Sequence, residues 1–486
     1  MGRITNILSY PTFDRGNAKN SFMLNPDGSL YVGEVWPGYT VFPDFLPGTG
    51  ANEWWVDEVT RWHDKVKFDG IWIDMNEVSS FCQGSCGSKN RTQKPGPQSQ
   101  LTIQPGSGSS VFVPTADPSP SPANALMPAN GRATVVPGVR DINSPPYSIN
   151  HIHGILAEHA VSPNATHHDG TQEYDVHSLF GHQLLNSTYN SLVNIEPTKR
   201  PFIIGRSTFV GSGTVAGHWG GDNFSKWFYL YASIPQALSF SIFGMPMFGV
   251  DTCGFWDATN EQLCNRWMQL SAFFPFYRNH NALGNPSQEV YIWQSVTNAT
   301  LKAMDVRFQL LPYMYTLFDS AHKTGSTVMR ALAWEFPNDP SLANADRQFF
   351  LGPAILVTPV LTENAVTVDG VFPGSGRGEL YYDWYTQTPV AATAGKNTTI
   401  DAPLGNIPVY IRGGYIIPTQ QMAMTTRDAR QTPWNVVVAL NAKGEAKGRL
   451  YLDDGESINP ASSLYINVRC LPLPHLCCCI IQGDTS

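Results

Sequence analysis

The chain has 486 residues and a formal charge of −8, with 42% hydrophobic and only 14% charged residues. That length predicts two to four domains and allows a sizeable core without staples. The low charge excludes intrinsic disorder and coiled coil, and 31 Lys+Arg against 39 Asp+Glu leaves no basic face for nucleic acid.

The first ten residues carry a single Arg and no apolar core of the kind a secretory signal needs. Residues 53–67 have helical spacing, with Trp54, Trp55, Val59 and Trp62 on related faces. Gly70-Ile-Trp-Ile-Asp74 then reads as a buried strand ending at a carboxylate. Residues 83–172 read as a long insert with little regular structure, since 11 prolines fall in the 52 residues from Pro95 to Pro146. Order returns with a predicted helix over 174–194, a buried strand over 201–205 and a helix over 227–239. A strand-like run over 240–250 closes at Asp251, and helices follow over 261–274 and 301–323. Helices alternating with short apolar strands that end in polar residues predict a parallel α/β fold with its chemistry at the C-terminal strand ends. The longest apolar stretch, 234–250, is too short and too broken to span a membrane.

After about residue 332 the texture changes. Short strands at 354–358, 366–372, 379–384, 409–417, 435–440 and 448–452, separated by Gly, Pro, Asn and Asp turns, predict antiparallel β-sandwich domains. The expected division is a partial barrel over 1–332 carrying the insert 83–172, a proximal sandwich over 333–416, a truncated distal sandwich over 417–468, and a Cys-rich tail over 469–486. That tail matches none of the preceding strands.

Cys82, Cys86, Cys253 and Cys264 fall into two local pairs that suit disulfides in an oxidising compartment, with free thiols or metal as the alternatives. The wide gap between the pairs lacks the compact spacing of structural zinc. Six Asn-x-Ser/Thr sequons, at Asn90, Asn164, Asn186, Asn223, Asn298 and Asn397, also suit secretion. The body thus reads as secreted while the start does not, as if an N-terminal part were missing.

Four constellations carry chemistry. In Trp72-Ile-Asp-Met-Asn-Glu77, Asp74 is expensive to bury unless it is paired or used. It reads either as a nucleophilic carboxylate supported by Asn76 and Glu77, or as a strand-end cap or metal ligand. Gly217-His-Trp-Gly-Gly-Asp-Asn223 has glycines that let a backbone approach a ligand and side chains useful for sugars; an ordinary polar turn is the other reading. Arg206 follows another short strand and could pair with one of these carboxylates. Asp251 closes the third, and Tyr277-Arg-Asn-His-Asn281 suggests a hydrogen-bonding rim. Phosphate loops, zinc-protease motifs and serine-hydrolase elbows are missing from the sequence. Paired carboxylates with aromatics remain, which is the chemistry of glycoside cleavage.

At these motifs the chain resembles glycoside hydrolase family 31, in its fungal secreted α-glucosidase branch. The matching stretches are Tyr10-Pro-Thr-Phe-Asp-Arg-Gly16, Val35-Trp-Pro-Gly38, Trp72 to Glu77 with Ser79-Ser-Phe-Cys82, Gly205-Arg-Ser-Thr-Phe209, Gly217 to Asn223, Phe248 to Phe255, Phe276-Tyr-Arg-Asn-His-Asn281 and Tyr410 to Pro418. The resemblance implies a (β/α)8 TIM-type barrel, here lacking its first strands, followed by all-β sandwich domains. It implies Asp74 as nucleophile and Asp222 as acid/base, the latter with a raised pKa, and carboxyls roughly 5–5.5 Å apart. Arg206, Asp251 and His280 would hold the terminal glucose. Trp36, Trp72, Met75, Phe81, Trp219 and Phe255 would wall the first subsite. It also implies both disulfides, no glycan on Asn223 beside the acid/base, no metal or cofactor, and a small oligosaccharide as substrate. Two further readings stand beside it: an α-xyloside substrate, and a non-catalytic fragment or carbohydrate-binding chain. Family members are longer and carry an Asp-Ile-Asp motif that this sequence lacks.

Overall fold

The computed structural model describes residues 2–3, 10–81, 84–86, 142, 150–151, 154–156, 159–392, 395–473 and 476–485. Most of the expected insert, with Asn90, and Cys82 therefore lie outside the described residues. In chain order the first elements are β1 (Gly2–Arg3), α1 (Pro11–Ala18), β2 (Val32–Val35), β3 (Gly38–Val41), α2 (Ala51–Lys65), β4 (Gly70–Ile73), β5 (Asn150–His151), β6 (Gly154–Ile155), α3 (Glu173–Val176), α4 (Phe180–Ile195), β7 (Phe202–Gly205), β8 (Gly217–Trp219), α5 (Trp227–Ile242), β9 (Phe248–Gly249), β10 (Asp251–Thr252), α6 (Glu261–Ser271), β11 (Arg278–Asn279) and α7 (Gln294–Thr324). The chain divides into two compact units, one of Met1–Trp54 with Glu77–His177 and one of Trp55–Asn76 with Ser178–Ser486.

In the first unit, β1, β3 and β2 form an antiparallel sheet in that order. Its core includes Phe22, Tyr31, Phe42 and Trp54, with Phe22 and Trp54 edge to face at 5.2 Å. Its buried polar hub is His167. Nδ1 lies 2.7 Å from Asp44 Oδ1 and Nε2 lies 3.1 Å from Glu173 Oε2. Two carboxylates on two ring nitrogens require both nitrogens to donate, so the ring is a cation. Burial opposes that charge, but the hydrogen bonds that the ring donates to Asp44 and Glu173 outweigh it and raise His167 to about 9. The remaining carboxylate oxygens are taken by the His168 backbone N–H and by His177, and Tyr31 faces Glu173.

The second unit is built on a parallel sheet of order β4-β7-β8-β9, with a further parallel pair β10-β11. Helices α4, α5 and α6 fall between these strands in the chain, as the alternating pattern predicts. The register sets Ile73 beside Gly205, Gly205 beside His218, and Trp219 beside Gly249. Strand ends therefore line up, and Asp74 and Arg206 follow the ends of β4 and β7 side by side.

Three details of these elements differ from the sequence reading. The strand ending at Asp74 was expected to be buried, but only Ile73 is; Trp72 is 46% exposed, because β4 pairs only with β7 among the described strands. The run 240–250 is not one strand. Residues up to Ile242 complete α5, and the strand is only Phe248–Gly249. Phe240 stays on the helix because it stacks on His218 and Phe248, at 3.8 and 5.1 Å. Helix α7 starts earlier than expected, runs 31 residues and accommodates Pro312.

The C-terminal part comprises β12 (Met329–Arg330), α8 (Leu332–Glu335), β13 (Phe349–Leu351), β14 (Ile355–Val357), β15 (Thr367–Gly370), β16 (Tyr381–Asp383), β17 (Thr398–Asp401), β18 (Val409–Arg412), β19 (Tyr415–Thr419), α9 (Thr426–Ala429), β20 (Asn435–Ala439), β21 (Ala446–Leu452), β22 (Leu464–Leu473) and β23 (Leu476–Thr485). Two five-stranded sheets result, β12-β13-β14-β18-β16 and β20-β19-β21-β22-β23. The expected strand 409–417 breaks at Gly413-Gly414, the latter at φ 92°, so β18 and β19 enter different sheets. The tail does not stand apart from the preceding strands. β22 runs on to Leu473, and β23 pairs with it along its length.

His167 supplies the first prediction. Its folded pKa lies above the ordinary 6.5, so its stabilisation is complete below pH 6.5 and fades as pH rises through about 9. That span corresponds to roughly 2–4 kcal/mol. His167→Gln should lower the unfolding midpoint at pH 6 and flatten the decline between pH 6.5 and 9, read by denaturant titration across that range.

Candidate active site

Asp74 follows β4. Its Oδ1 accepts the Met75 backbone N–H at 2.9 Å and meets Arg206 Nη1 at 3.0 Å. Arg206 follows β7, one register step away. Asn76 locks the two loops together: its Nδ2 donates to Ser207 O at 3.0 Å and its Oδ1 accepts from Ser207 N at 2.8 Å. Met75 has φ 53°, a left-handed conformation uncommon for a side-chain-bearing residue. Backbone held in this way beside a carboxylate is a mark of functional sites.

Asp222 follows β8 and is exposed. Gly221 has φ 67°, and a Cβ there would sit 3.5 Å from Arg206 Cδ, so glycine suits the turn that presents Asp222. Asn223 is buried behind it. Its Nδ2 donates to Asp251 O at 3.0 Å, and its Oδ1 accepts from Phe255 N at 3.0 Å. This sequon therefore has its amide sealed inside the site.

Asp251 is fully buried at the start of β10 and pairs with Arg278 Nη1 at 2.8 Å. Burial is the main influence on its carboxyl, and the negative charges of Asp222 and Asp74 push the same way. Arg278 opposes them, and the outcome is a pKa raised to about 7. The coupling places three carboxylates in one neighbourhood. The Trp219 indole N–H faces the Asp251 carboxyl closely enough to ease the shift. Even so, neither Trp219 Nε1 nor Asp251 Oδ2 has a partner at hydrogen-bond geometry. A buried donor and acceptor left open together suit a polar ligand.

The aromatic surround is continuous. Arg278 lies over the rings of Trp72 and Trp219, at 4.6 and 5.6 Å. Trp72 and Trp219 are 5.2 Å apart, and His280 lies 5.2 Å from Phe255. Burial and Arg278 hold His280 below its ordinary pKa, with Asp74 opposing.

The second unit thus brings together Asp74, Arg206, Asp222, Asp251 and His280 with Trp72, Met75, Trp219 and Phe255. Trp36 and Phe81 belong to the first unit, where they pair edge to face at 5.1 Å. Glu77 is also there and accepts from the Ser79 hydroxyl. His218, grouped with sugar-site residues by its motif, turns inward, with Nδ1 3.1 Å from Gly205 O and its ring stacked on Phe240. The Cys253–Cys264 disulfide is formed and ties the Asp251 loop to α6. Cys86 is also disulfide-bonded. Arg278 was legible only as part of a polar rim. Its partnership with Asp251 depends on a parallel pairing that spacing does not reveal.

Residues 3–317 match the glycosyl hydrolases family 31 TIM-barrel domain, and residues 325–417 match the glycosyl hydrolase family 31 C-terminal domain. An α-glucosidase of Aspergillus oryzae is 56% identical over 94% of this chain and 48% of its own length. An α-glucosidase of Aspergillus niger is 57% identical over 94% and 49%. The chain spans about half the length of these curated relatives. A crystal structure of a glucosidase II alpha subunit superposes with a TM-score of 0.76 at 28% identity, covering 96% of this chain and 43% of that one.

Two outcomes follow from this geometry. Arg278→Ala removes the cation facing the buried Asp251, whose carboxyl must then take up a proton or stay charged without a partner, and breaking the pair should cost about 3–5 kcal/mol in chemical unfolding above pH 7. Arg278→Lys should recover only part, because an ammonium lacks the planar stack on two indoles. Peptide mapping of the chain expressed through a eukaryotic secretory pathway should find Asn223 bare, since a glycan on its buried Nδ2 would displace the bond donated to Asp251 O.

Proposed function

The chain belongs to glycoside hydrolase family 31, and on that premise we propose that it carries the catalytic site of a retaining α-glucosidase acting on maltose-like oligosaccharides. The observation that carries the reading is the row of strand ends: Asp74 follows β4, Arg206 follows β7, Asp222 follows β8, and Asp251 opens β10 just after β9. Relatives named α-glucosidase at 56% and 57% identity support the substrate class.

In this proposal Arg206 and Met75 N–H hold Asp74 through Oδ1, and Oδ2 attacks the anomeric carbon of the terminal glucose. The bond to the leaving oxygen breaks as Asp222 gives it a proton, and a β-glucosyl ester on Asp74 results. Asp222 then takes a proton from water, whose oxygen displaces Asp74 and releases glucose with its α configuration retained. Exposure of Asp222 gives the incoming water access. Asp251 Oδ2 and Trp219 Nε1, the open buried pair, take sugar hydroxyls, with Arg206 and His280 as further donors. The Trp72, Trp219 and Phe255 rings cover the apolar face of the sugar. No cofactor enters these steps. A disulfide between Cys253 and Cys264 supports an extracellular or secretory setting.

The test is hydrolysis of chromogenic α-glucosides and α-xylosides by the purified chain. Turnover of the glucoside should fall by about a thousandfold or more in Asp74→Asn. A slow fluoroglucoside should leave a glucosyl adduct on the Asp74 peptide, read by mass spectrometry. Full activity in Asp74→Asn, or an adduct elsewhere, overturns the assignment. A folded wild-type chain without turnover would favour a non-catalytic role.

A further inference from the structure

Two loops carry the groups proposed to grip the sugar. One runs from Asp251 to Phe255, the other from Arg278 to His280. Their strands pair over only two residues, Asp251 with Arg278 and Thr252 with Asn279. Beyond that point the backbones separate, Cys253 takes φ 75° and Gly254 φ 95°, and no strand ladder continues.

Gln288 sits in the gap. It is 4% exposed and belongs to none of the motifs quoted above. Its Nε2 lies 3.3 Å from Thr252 O, 3.2 Å from Gly254 O, 3.0 Å from Asn279 Oδ1 and 3.1 Å from His280 O. All four facing atoms are acceptors, so nitrogen is the end of the carboxamide that points inward. In return Asn279 Nδ2 donates to the Gln288 backbone carbonyl at 2.9 Å. Two N–H hydrogens thus serve acceptors drawn equally from both loops.

We propose that Gln288 is a positioning residue that pins the Asp251 loop to the Arg278–His280 loop and so fixes where Asp251, Arg278 and His280 meet the substrate. It touches no reacting atom and acts through the loops. The proposal rests on the reading of this site as a glucosidase site, but the pin itself is measurable without turnover. An apolar residue at 288 leaves four carbonyl-type acceptors facing a dry gap, and the loops must part to solvate them. A carboxylate there is worse when ionised, because it meets four acceptors. When protonated, its one hydroxyl can still bridge.

The comparison uses Gln288→Leu and Gln288→Glu, with Gln348→Leu as control. Gln348 is another buried carboxamide, bonded to Thr358 Oγ1 and Val371 far along the chain in the C-terminal sheet region. The first readout is the titration of His280 in a chain labelled on its histidine rings, assigned by His280→Gln. His280 faces Arg278, Asp74 and the Trp72 and Phe255 rings. Its pKa should move toward the ordinary imidazole value in Gln288→Leu and stay unchanged in Gln348→Leu. The second readout is kinetic. KM for the α-glucoside should rise about tenfold in Gln288→Leu, with the smaller change in kcat. In Gln288→Glu the rise should be slight at pH 5 and grow toward pH 8, judged against wild type because Asp251 itself titrates near 7. If Gln288→Leu fails to fold, the pH dependence of His280 and KM in Gln288→Glu carries the test. An unaltered His280 titration in a folded Gln288 variant, or equal KM effects in the Gln288 and Gln348 variants, overturns the proposal. Wild type without turnover but with a shifted His280 in Gln288→Leu would sink the glucosidase reading and keep the pin.

Discussion

The structure depends on keeping three carboxylates together where parallel strands end. Burial above all, with the negative charges of Asp222 and Asp74 adding to it, raises Asp251 to about 7. Two guanidiniums offset that repulsion, Arg206 beside Asp74 and Arg278 beside Asp251. The roles differ with burial. Asp251 is sealed and needs its cation to carry charge at all, while Asp74 is half-exposed and Asp222 exposed. A gradient from buried to exposed lets one group stay fixed while the others exchange partners with water and ligand.

Backbone conformation supplies the precision. Parallel register brings the ends of β4, β7, β8 and β9 to one level, but the side chains reach their places through short non-helical turns. Gly221 turns to present Asp222, and Gly254 packs where a Cβ would strike the Ser225 backbone at 2.4 Å. Met75 and Cys253 adopt the same left-handed region without being glycine. Such conformations cost of order 1–3 kcal/mol each and persist only where surroundings impose them. Asn76 imposes one, by clamping Ser207 from both sides. Asn223 imposes the other, by bonding the carbonyl of Asp251 and the N–H of Phe255.

Much of this was legible in the sequence, and for clear reasons. A strand announces itself by β-branched and aromatic runs, and an acidic residue at its end is costly unless used, so Asp74 and Asp251 stood out. Helix spacing placed α2, α4 and α6 to within a few residues. What was hidden depended on pairing across long separations. Trp72 reads as core in a run of Ile and Trp, yet its exposure follows from β4 lying at a sheet edge. Phe240 reads as strand, yet its stack on His218 keeps it helical. Gln288 sits in a polar turn with no pattern around it, and only the meeting of two loops gives it four partners. Gly413-Gly414 falls inside what reads as one strand, but it is where the chain changes sheets.

The site does not rest on its own sheet alone. One continuous apolar cluster runs from Leu230 in α5 through Trp267 in α6 and Leu310 in α7 to Ile355 and Ile417 in the C-terminal sheets. Helix α7 is its spine, and it reaches the site through Arg307. That guanidinium donates to the carbonyls of Ala272, Phe274 and Pro275, the turn that leads directly into Arg278. Burial draws its pKa down to about 10, still well above neutral, so it remains a cation there. Arg266 of α6 is tied in the same way to the carbonyls of Ala365, Ala402, Pro403 and Asn406 in the C-terminal part. Two arginines on adjacent helices thus fix separate loops to one core. A C-terminal β part so connected serves as the rigid backing against which α6 and α7 hold the Arg278 loop, and through Arg278 the charge state of Asp251.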